Sequence, residues 1–441
     1  MNQDDFLYLT VFYVVLTASY FDRKFENRLL KQVYGAVIGF CFSLVLCGTE
    51  IHLILINVAV NAWITAFSDR KKCQILSFIF TFSFLFYCRQ FSLSPVTNIM
   101  LMSTTMKMVG VAFEANEEYS TNRMKNDTDV RPSSRFQSVK WKDIVFYGMN
   151  YNGLFGAPYY TYSTYEDFLE LPFKYYHDWK NLCIYKLVSS SIIITLYLIV
   201  DHFWPISYTS TEDFFENERT LYRIWYVYPI AYTFTFRVWN ALVLLECSCC
   251  INGLGVYPTF TKPQCGYGPT EMYDKMKSLR DEAQLIKEEY SFATIENIDI
   301  LKYHSKLEFG KAIRHWNSTI QYWLYKVIYK NIPYDLLKKP ATMLASSYWH
   351  GLDFGYFASL FFSSLILVVE KRWSVLLKEE KSFQTKLIML LMKIHFLNNL
   401  IASFVWKQQD IIIKYQKSVY CNGIIIFLLS YILLLIYENK N

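Results

Sequence analysis

Apolar stretches recur along this chain at close to bilayer length. They run over about 6–20, 33–48, 51–67, 75–88, 96–113, 183–200, 225–252, 342–369, 386–406 and 420–437. A helix crossing the hydrocarbon core needs about 17–25 mostly apolar residues. The pattern therefore predicts membrane helices, the shorter ones tilting, re-entering, or extending through interfacial Tyr and Trp. Arg23, Lys24, Arg28 and Lys31 follow the first stretch, and "SDRKK" (68–72) follows the third. Lys and Arg gather on the cytosolic side of a membrane. Both loops fall there if 33–48 and 51–67 each span. Asp4 and Asp5 precede the first apolar run where a signal peptide carries positive charge, so that end reads as lumenal chain rather than a leader.

Two polar insertions interrupt the pattern. The first, about 114–143, reads as a cytosolic loop, and its sequon at Asn126 to Thr128 is expected to carry no glycan there. The second runs over about 258–311. Its middle, "EMYDKMKSLRDEAQLIKEEYSF", spaces Met, Leu and Ile among charges as an amphipathic surface helix does. No internal repeat of the transporter kind is present. The fold expected is all-α and polytopic: a bundle of about 9–11 transmembrane helices with re-entrant segments around an internal tunnel, in a single domain over 1–441.

Composition supports this class, with 53% hydrophobic residues and 19% aromatic. The net charge of +6 is spread over many loops, so no basic block points to nucleic acid. Ten cysteines include Cys247, Cys249 and Cys250 but form no paired CxxC motifs. They read as small core residues, and no metal site is expected.

HExxH, GxSxG, a Walker loop and GxGxxG are all missing, as is a His followed by Asp at H-x4-D. Three polar features stand out within apolar sequence. In "IRHWNSTIQYWLYKVIY" (313–329), Trp316 and Asn317 open a segment too short and polar to span, which suits a re-entrant or pocket-lining helix. Asn317 is also a good helix N-cap, and the stretch alone leaves both roles open. In "SSYWHGLDFGY" (346–356), His350 sits among aromatics. A structural histidine and a general base both fit. Burial would keep the imidazole neutral, and Asp353 is near enough in sequence to orient it. In "FRVWNALVLLECSCCINGLGVYP" (236–258), Arg237 and Glu246 lie nine residues apart, on roughly opposite faces of one helix. Buried charges at this depth need partners on other helices or a wet cavity.

"WNSTIQYWLYKVIYK" followed about thirty residues later by "SSYWHGLDFGY" resembles the signature of the membrane-bound O-acyltransferases, an Asn in a W-N context and then a His in a W-H-G context. "GAPYYTYSTYEDFLELPF" (156–173), the 236–258 stretch and "FATIENIDI" (292–300) are similar to its lysophosphatidylinositol acyltransferase branch. The branch tends to have Gly-Pro and then basic residues in the first of these motifs. Ala157, Pro158, Thr161 and Ser163 stand there in this chain.

The resemblance implies transfer of a fatty acyl group, typically arachidonoyl, from acyl-CoA to the sn-2 hydroxyl of lysophosphatidylinositol, with no cofactor beyond that co-substrate. It implies an endoplasmic reticulum membrane. His350 would be the general base, and Asn317 an oxyanion donor or a positioner. Trp316, Trp349, Arg237, Glu246, Tyr159 and Tyr160 are candidates for substrate contact. Lys302, Lys306, Lys311 and Arg314 either meet CoA phosphates or form a solvated surface. Other lysolipid acceptors within the family, and a transporter, remain as alternatives at this point.

Overall fold

Water is absent from a bilayer core, so backbone N–H and C=O groups there must pair within the chain, and a helix pairs them locally. The computed structural model, which describes residues 3–123, 139–377 and 382–439, is helical nearly throughout. Its first half contains α1 (Gln3–Asp22), α2 (Arg28–Cys47), α3 (Ile51–Phe67), α4 (Cys73–Cys88), α5 (Pro95–Arg123), α6 (Trp141–Met149), α7 (Tyr162–Glu170), α8 (Trp179–Phe203), α9 (Glu212–Glu216) and α10 (Thr220–Asn252). A stretch of short helices follows with α11 (Tyr273–Ser278), α12 (Glu282–Lys287), α13 (Ile300–Ser305) and α14 (Phe309–Ile313). Within it β1 (Tyr257–Pro258) pairs antiparallel with β2 (Tyr290–Ser291). The chain ends in α15 (Ser318–Val327), α16 (Asp335–His350), α17 (Phe354–Leu376), α18 (Phe383–Trp406), α19 (Gln409–Ser418) and α20 (Asn422–Glu438).

Among the described residues six segments are long and apolar enough to cross a membrane: Arg28–Phe67, Pro95–Ser120, Trp179–Ser210, Thr220–Asn252, Phe354–Leu376 and Phe383–Trp406. The pair α19–α20, bent by 69°, is a seventh if it is one broken span, and Leu9–Asp22 and Cys73–Cys88 are shorter apolar helices. The chain is an all-α, multi-pass membrane protein. The first segment is a hairpin. A Cβ on Gly35 would meet Asn150 and one on Gly39 would meet Met149, while Val58 lies against Gly148. Both halves thus lie on the end of α6, and the chain reverses at Gly48, whose φ of 54° is left-handed and suits glycine.

α5 and α10 form the centre, each with 72% of its apolar window buried, against 22–33% in the other spans. Lys107 on α5 is fully buried, and its Nζ donates to the carbonyls of Tyr147 (3.1 Å), Asn150 (3.0 Å) and Asn152 (2.7 Å). It thereby caps the end of α6, where helix carbonyls lack intrahelical partners. Cys247, Cys249 and Cys250 are buried in the same core as free thiols.

Three sequence expectations need correction. The polar insertion starts later than 114, because α5 continues to Arg123. Asn126 and Thr128 lie outside the described residues. The stretch at 271–292 is not one amphipathic helix. It is α11 and α12, broken at Leu279–Asp281 where the Asp281 carboxylate caps α12, and then β2. Its apolar positions still face inward, since Tyr273, Met276, Leu279 and Leu285 pack on Phe173 and Tyr257. Finally, 342–369 is not one span. It breaks at Gly351–Asp353 into α16 and α17, and α16 is not among the membrane-crossing helices.

Candidate active site

α15 is ten residues long, about 15 Å, too short to span. Thr319, Ile320, Trp323 and Val327 are its buried face. The Trp323 indole donates to the Met106 carbonyl at 3.0 Å, and the Trp349 indole on α16 donates to the Met102 carbonyl, also at 3.0 Å. Two aromatic anchors from different helices therefore dock one turn apart, about 6 Å, on the same rail, α5. Farther along α5, Lys326 pairs with Glu117, and at the opposite end Asn98 meets Arg89. These contacts place the Trp323–Lys326 half of α15 against α5 between Met106 and Glu117, and the end of α16 against α5 at Met102.

Asn317 occupies the N-cap position of α15 but does not cap it. Its backbone is left-handed (φ 49°, ψ 45°), and its side chain makes no cap bond. Instead Asn317 Oδ1 accepts from Asn297 Nδ2 at 3.4 Å. Its own Nδ2 has no partner among the described residues. Asn297 is fully buried and tightly held. Its Oδ1 accepts from the Thr319 N–H (3.0 Å) and hydroxyl (2.6 Å), and its carbonyl accepts from the Ser318 N–H at 2.9 Å. The N–H groups of Asn297 (2.6 Å) and Ile298 (3.0 Å) donate to Glu246 Oε1. Glu246 Oε2 takes the Lys186 ammonium of α8 at 2.5 Å. So Glu246, 1% exposed, is committed to a buried ion pair and two backbone donors, and through Asn297 it fixes the start of α15.

His350 ends α16. Its ring is packed by Trp349 (4.8 Å between centroids), Phe404 (4.9 Å) and Tyr356 (5.9 Å). Neither ring nitrogen has a hydrogen-bond partner among the described residues. Burial, and then the nearby Arg89 charge, push the imidazole's pKa well below 6.5, so it is neutral at ordinary pH. Asp353 is exposed and stands at the N-cap of α17 without bonding the ring. The W-H-G context has a steric reason: a Cβ at Gly351 would run into the Tyr356 ring.

The other sequence candidates separate into groups. Tyr159 belongs to the site's wall. Its N–H donates to Thr319 Oγ1 at 3.0 Å and its ring stacks on Tyr322 at 6.4 Å. Tyr160 lies in the core with its hydroxyl on the Asn152 carbonyl (2.8 Å). Burial raises both phenols well above their usual pKa, so both stay neutral. Trp316 is half-buried against Trp239 (6.0 Å) and Tyr303 (5.8 Å). Trp349 is buried on α5. Arg237 is exposed on the side of α10 away from Glu246, as the nine-residue spacing requires. Lys302 and Lys311 are exposed and ion-paired with Asp299 (2.9 Å) and Glu308 (2.8 Å). Thr161 caps α7 at Thr164 N, and Ser163 donates to Glu114 at 3.0 Å. Thr161 and Ser163 are thus used here for local hydrogen bonds.

Sequence reading missed Lys186, Asn297 and Arg89. Lys186 and Arg89 are isolated cations next to apolar runs, a signal that a buried partner is near. Asn297 gave no signal, because its role depends on elements far apart in sequence.

A model of the membrane-bound O-acyltransferase family matches residues 120–403, which include both Asn317 and His350. The chain is 30% identical over 382 residues to the membrane-bound acylglycerophosphatidylinositol O-acyltransferase of Danio rerio, covering 84% of this chain and 79% of that protein. It is 28% identical over 398 residues to the like-named protein of Drosophila melanogaster, covering 86% and 80%. The protein of that name from Homo sapiens is 28% identical over 384 residues, covering 84% and 80%.

Proposed function

The chain belongs to the membrane-bound O-acyltransferase family and is an O-acyltransferase, and we propose that it moves a fatty acyl group from acyl-CoA to the sn-2 hydroxyl of lysophosphatidylinositol. The names of its relatives support that acceptor. Arachidonoyl is the donor chain we expect, and the endoplasmic reticulum membrane is the setting.

In this reading the lysolipid hydroxyl gives its proton to neutral His350 as its oxygen attacks the thioester carbonyl. A base placed this way is worth roughly 10²–10⁴-fold. The carbonyl oxygen gains negative charge as the C–O bond forms. The Asn317 NH2 is the donor for it, because Asn297 already holds the other end of that amide. A single donor of this kind contributes about 3–4 kcal/mol. The intermediate then collapses, the C–S bond breaks, and the proton on His350 passes to the departing CoA sulfur. The products are a diacyl lipid and CoA.

One observation carries the mechanism. Among the described residues the His350 imidazole and the Asn317 amide NH2 both lack partners, and the helices that carry them dock on α5 through Trp349 and Trp323, one turn apart. CoA would arrive at the Asn317 end, where α13 and α14 bring Lys306 and Arg314, and the lysolipid at the His350 end. The half-buried Trp316 and the Tyr159–Tyr322 stack suit contact with the acyl chain, while Glu246 and Arg237 would act through structure rather than through substrate.

Purified protein assayed against lysolipids bearing inositol, choline, serine and ethanolamine headgroups, each with several acyl-CoAs, tests the assignment. Inositol is expected to be favoured by at least tenfold in kcat/KM. Equal rates across headgroups would contradict it and leave a family member with a different or broader acceptor. That second reading draws on the absence of basic residues at Thr161 and Ser163.

A further inference from the structure

A catalytic histidine is commonly oriented by a hydrogen bond from one ring nitrogen to a carboxylate or carbonyl. His350 has no such bond among the described residues, so something else must fix its ring. The last carbonyls of a helix have no intrahelical donors. At the end of α16 the Ser347 carbonyl receives the Gly351 N–H at 3.1 Å. The next two, on Tyr348 and Trp349, both receive the Arg89 guanidinium, one from each terminal nitrogen. The third nitrogen, Nε, donates to Asn98 Oδ1 on α5 at 3.3 Å. Arg89 itself is rigidly placed, being the C-cap of α4 with its N–H on the carbonyls of Leu85 and Phe86. α4 also takes the Tyr348 hydroxyl, at the Phe82 carbonyl (2.9 Å), and stacks Phe82 on the Tyr348 ring.

We propose that Arg89 is a positioning residue for acyl transfer: anchored on Asn98, its guanidinium grips the backbone of Tyr348 and Trp349 and so holds His350 in reacting position. The planar fork suits two adjacent carbonyls as a single ammonium cannot, and a cation is favoured at a helix C-terminus. Held at its backbone by this grip and at its ring by Trp349, Tyr356 and Phe404, His350 keeps both nitrogens for the substrate and the proton. The proposal rests on the reading of His350 as the general base.

The charge has a second consequence. The titratable or charged groups around His350 are Arg89 from α4, Tyr348 on its own helix, Asp353 and Tyr356 from α17, and Lys407, which follows α18 and lies over the Tyr356 ring at 6.0 Å. Burial disfavours the imidazolium most, and of these charged groups Arg89 adds to it, so removing its charge raises the pH at which the base is lost.

The test compares full-length wild type, Arg89→Gln, Arg89→Lys and His350→Ala in nanodiscs, with lysophosphatidylinositol and arachidonoyl-CoA. Arg89→Gln is expected to lower kcat by 10- to 100-fold with both KM values within about threefold, and to move the acid limb of kcat to higher pH. Arg89→Lys should recover part of kcat and keep the acid limb in place. Wild-type kcat in Arg89→Gln, or a loss confined to KM, overturns the proposal. So does an unmoved acid limb. If Arg89→Gln does not fold, Asn98→Ala, which frees only Nε, is expected to lower kcat by a smaller factor, and an unchanged kcat there overturns the proposal equally. Full turnover in His350→Ala would instead defeat the base assignment beneath it.

Discussion

In the proposed mechanism His350 and Asn317 divide the work by which of their atoms lack partners among the described residues. For His350 neither nitrogen has such a partner and the ring is caged by aromatics, so the neutral form dominates and the tautomer follows the substrate. The sign of its pH dependence follows. A base whose pKa is pushed below 6.5 stays competent as pH falls, and is lost only when pH crosses the lowered value. The kcat profile is therefore expected to stay flat from about pH 8 to about pH 6. A loss of activity centred near 6.5 would show an ordinary exposed imidazole instead. For Asn317 the amide is oriented, with its oxygen toward Asn297 and its NH2 outward. Asn317→Asp keeps the shape but removes the donor and adds a negative charge where negative charge develops. It is expected to lower kcat by roughly 10²–10³-fold with acyl-CoA binding, read by calorimetry, nearly unchanged. Equal losses in binding would make Asn317 a ground-state anchor.

The elements bring these residues together through anchors that periodicity does not display. Hydropathy located α1 to α5, α8, α10 and α18 because each carries a long apolar run, and the aromatic–polar mixture of α15 marked it as too short to span. Hydropathy could not find the break between α16 and α17. Gly351 and Asp353 are only two residues in an apolar stretch, and the break depends on Tyr356 folding back over Gly351. Nor could it assign partners. Glu246 was legible as a buried charge in need of a partner or a wet cavity, but Lys186 is sixty residues away and on another helix. Arg89 was legible as a cation beside an apolar run, but not its grip on the distant Tyr348 and Trp349 backbone, and no local pattern reveals Asn297. The Gly351–Tyr356 contact yields a prediction at this scale. Gly351→Ala is expected to lower both the thermal midpoint and kcat, with overpacking costing about 1–3 kcal/mol. Combining it with Tyr356→Leu, which removes the opposing ring edge, should recover part of the thermal loss. No recovery in the double variant would mean that Gly351 serves another purpose.

At the scale of the molecule the proposed function calls for two substrates of opposite character to meet. α5 and α10 are the buried posts, and the stretch carrying α11 to α14 closes one end through Asn297 and Lys393, whose Nζ donates to the carbonyls of His304 (3.2 Å) and Lys306 (2.6 Å). In the proposed reading a soluble thioester approaches Asn317 from that end and a lipid hydroxyl reaches His350. That claim is tested most directly by one reconstitution. Protein in nanodiscs is given arachidonoyl-CoA and lysophosphatidylinositol, and diacyl product is read by mass spectrometry for wild type and His350→Ala at matched acyl-CoA occupancy. Wild type should form phosphatidylinositol with release of free CoA, while His350→Ala binds acyl-CoA normally and falls by at least about 10²-fold. Turnover by His350→Ala at the wild-type rate would contradict the account.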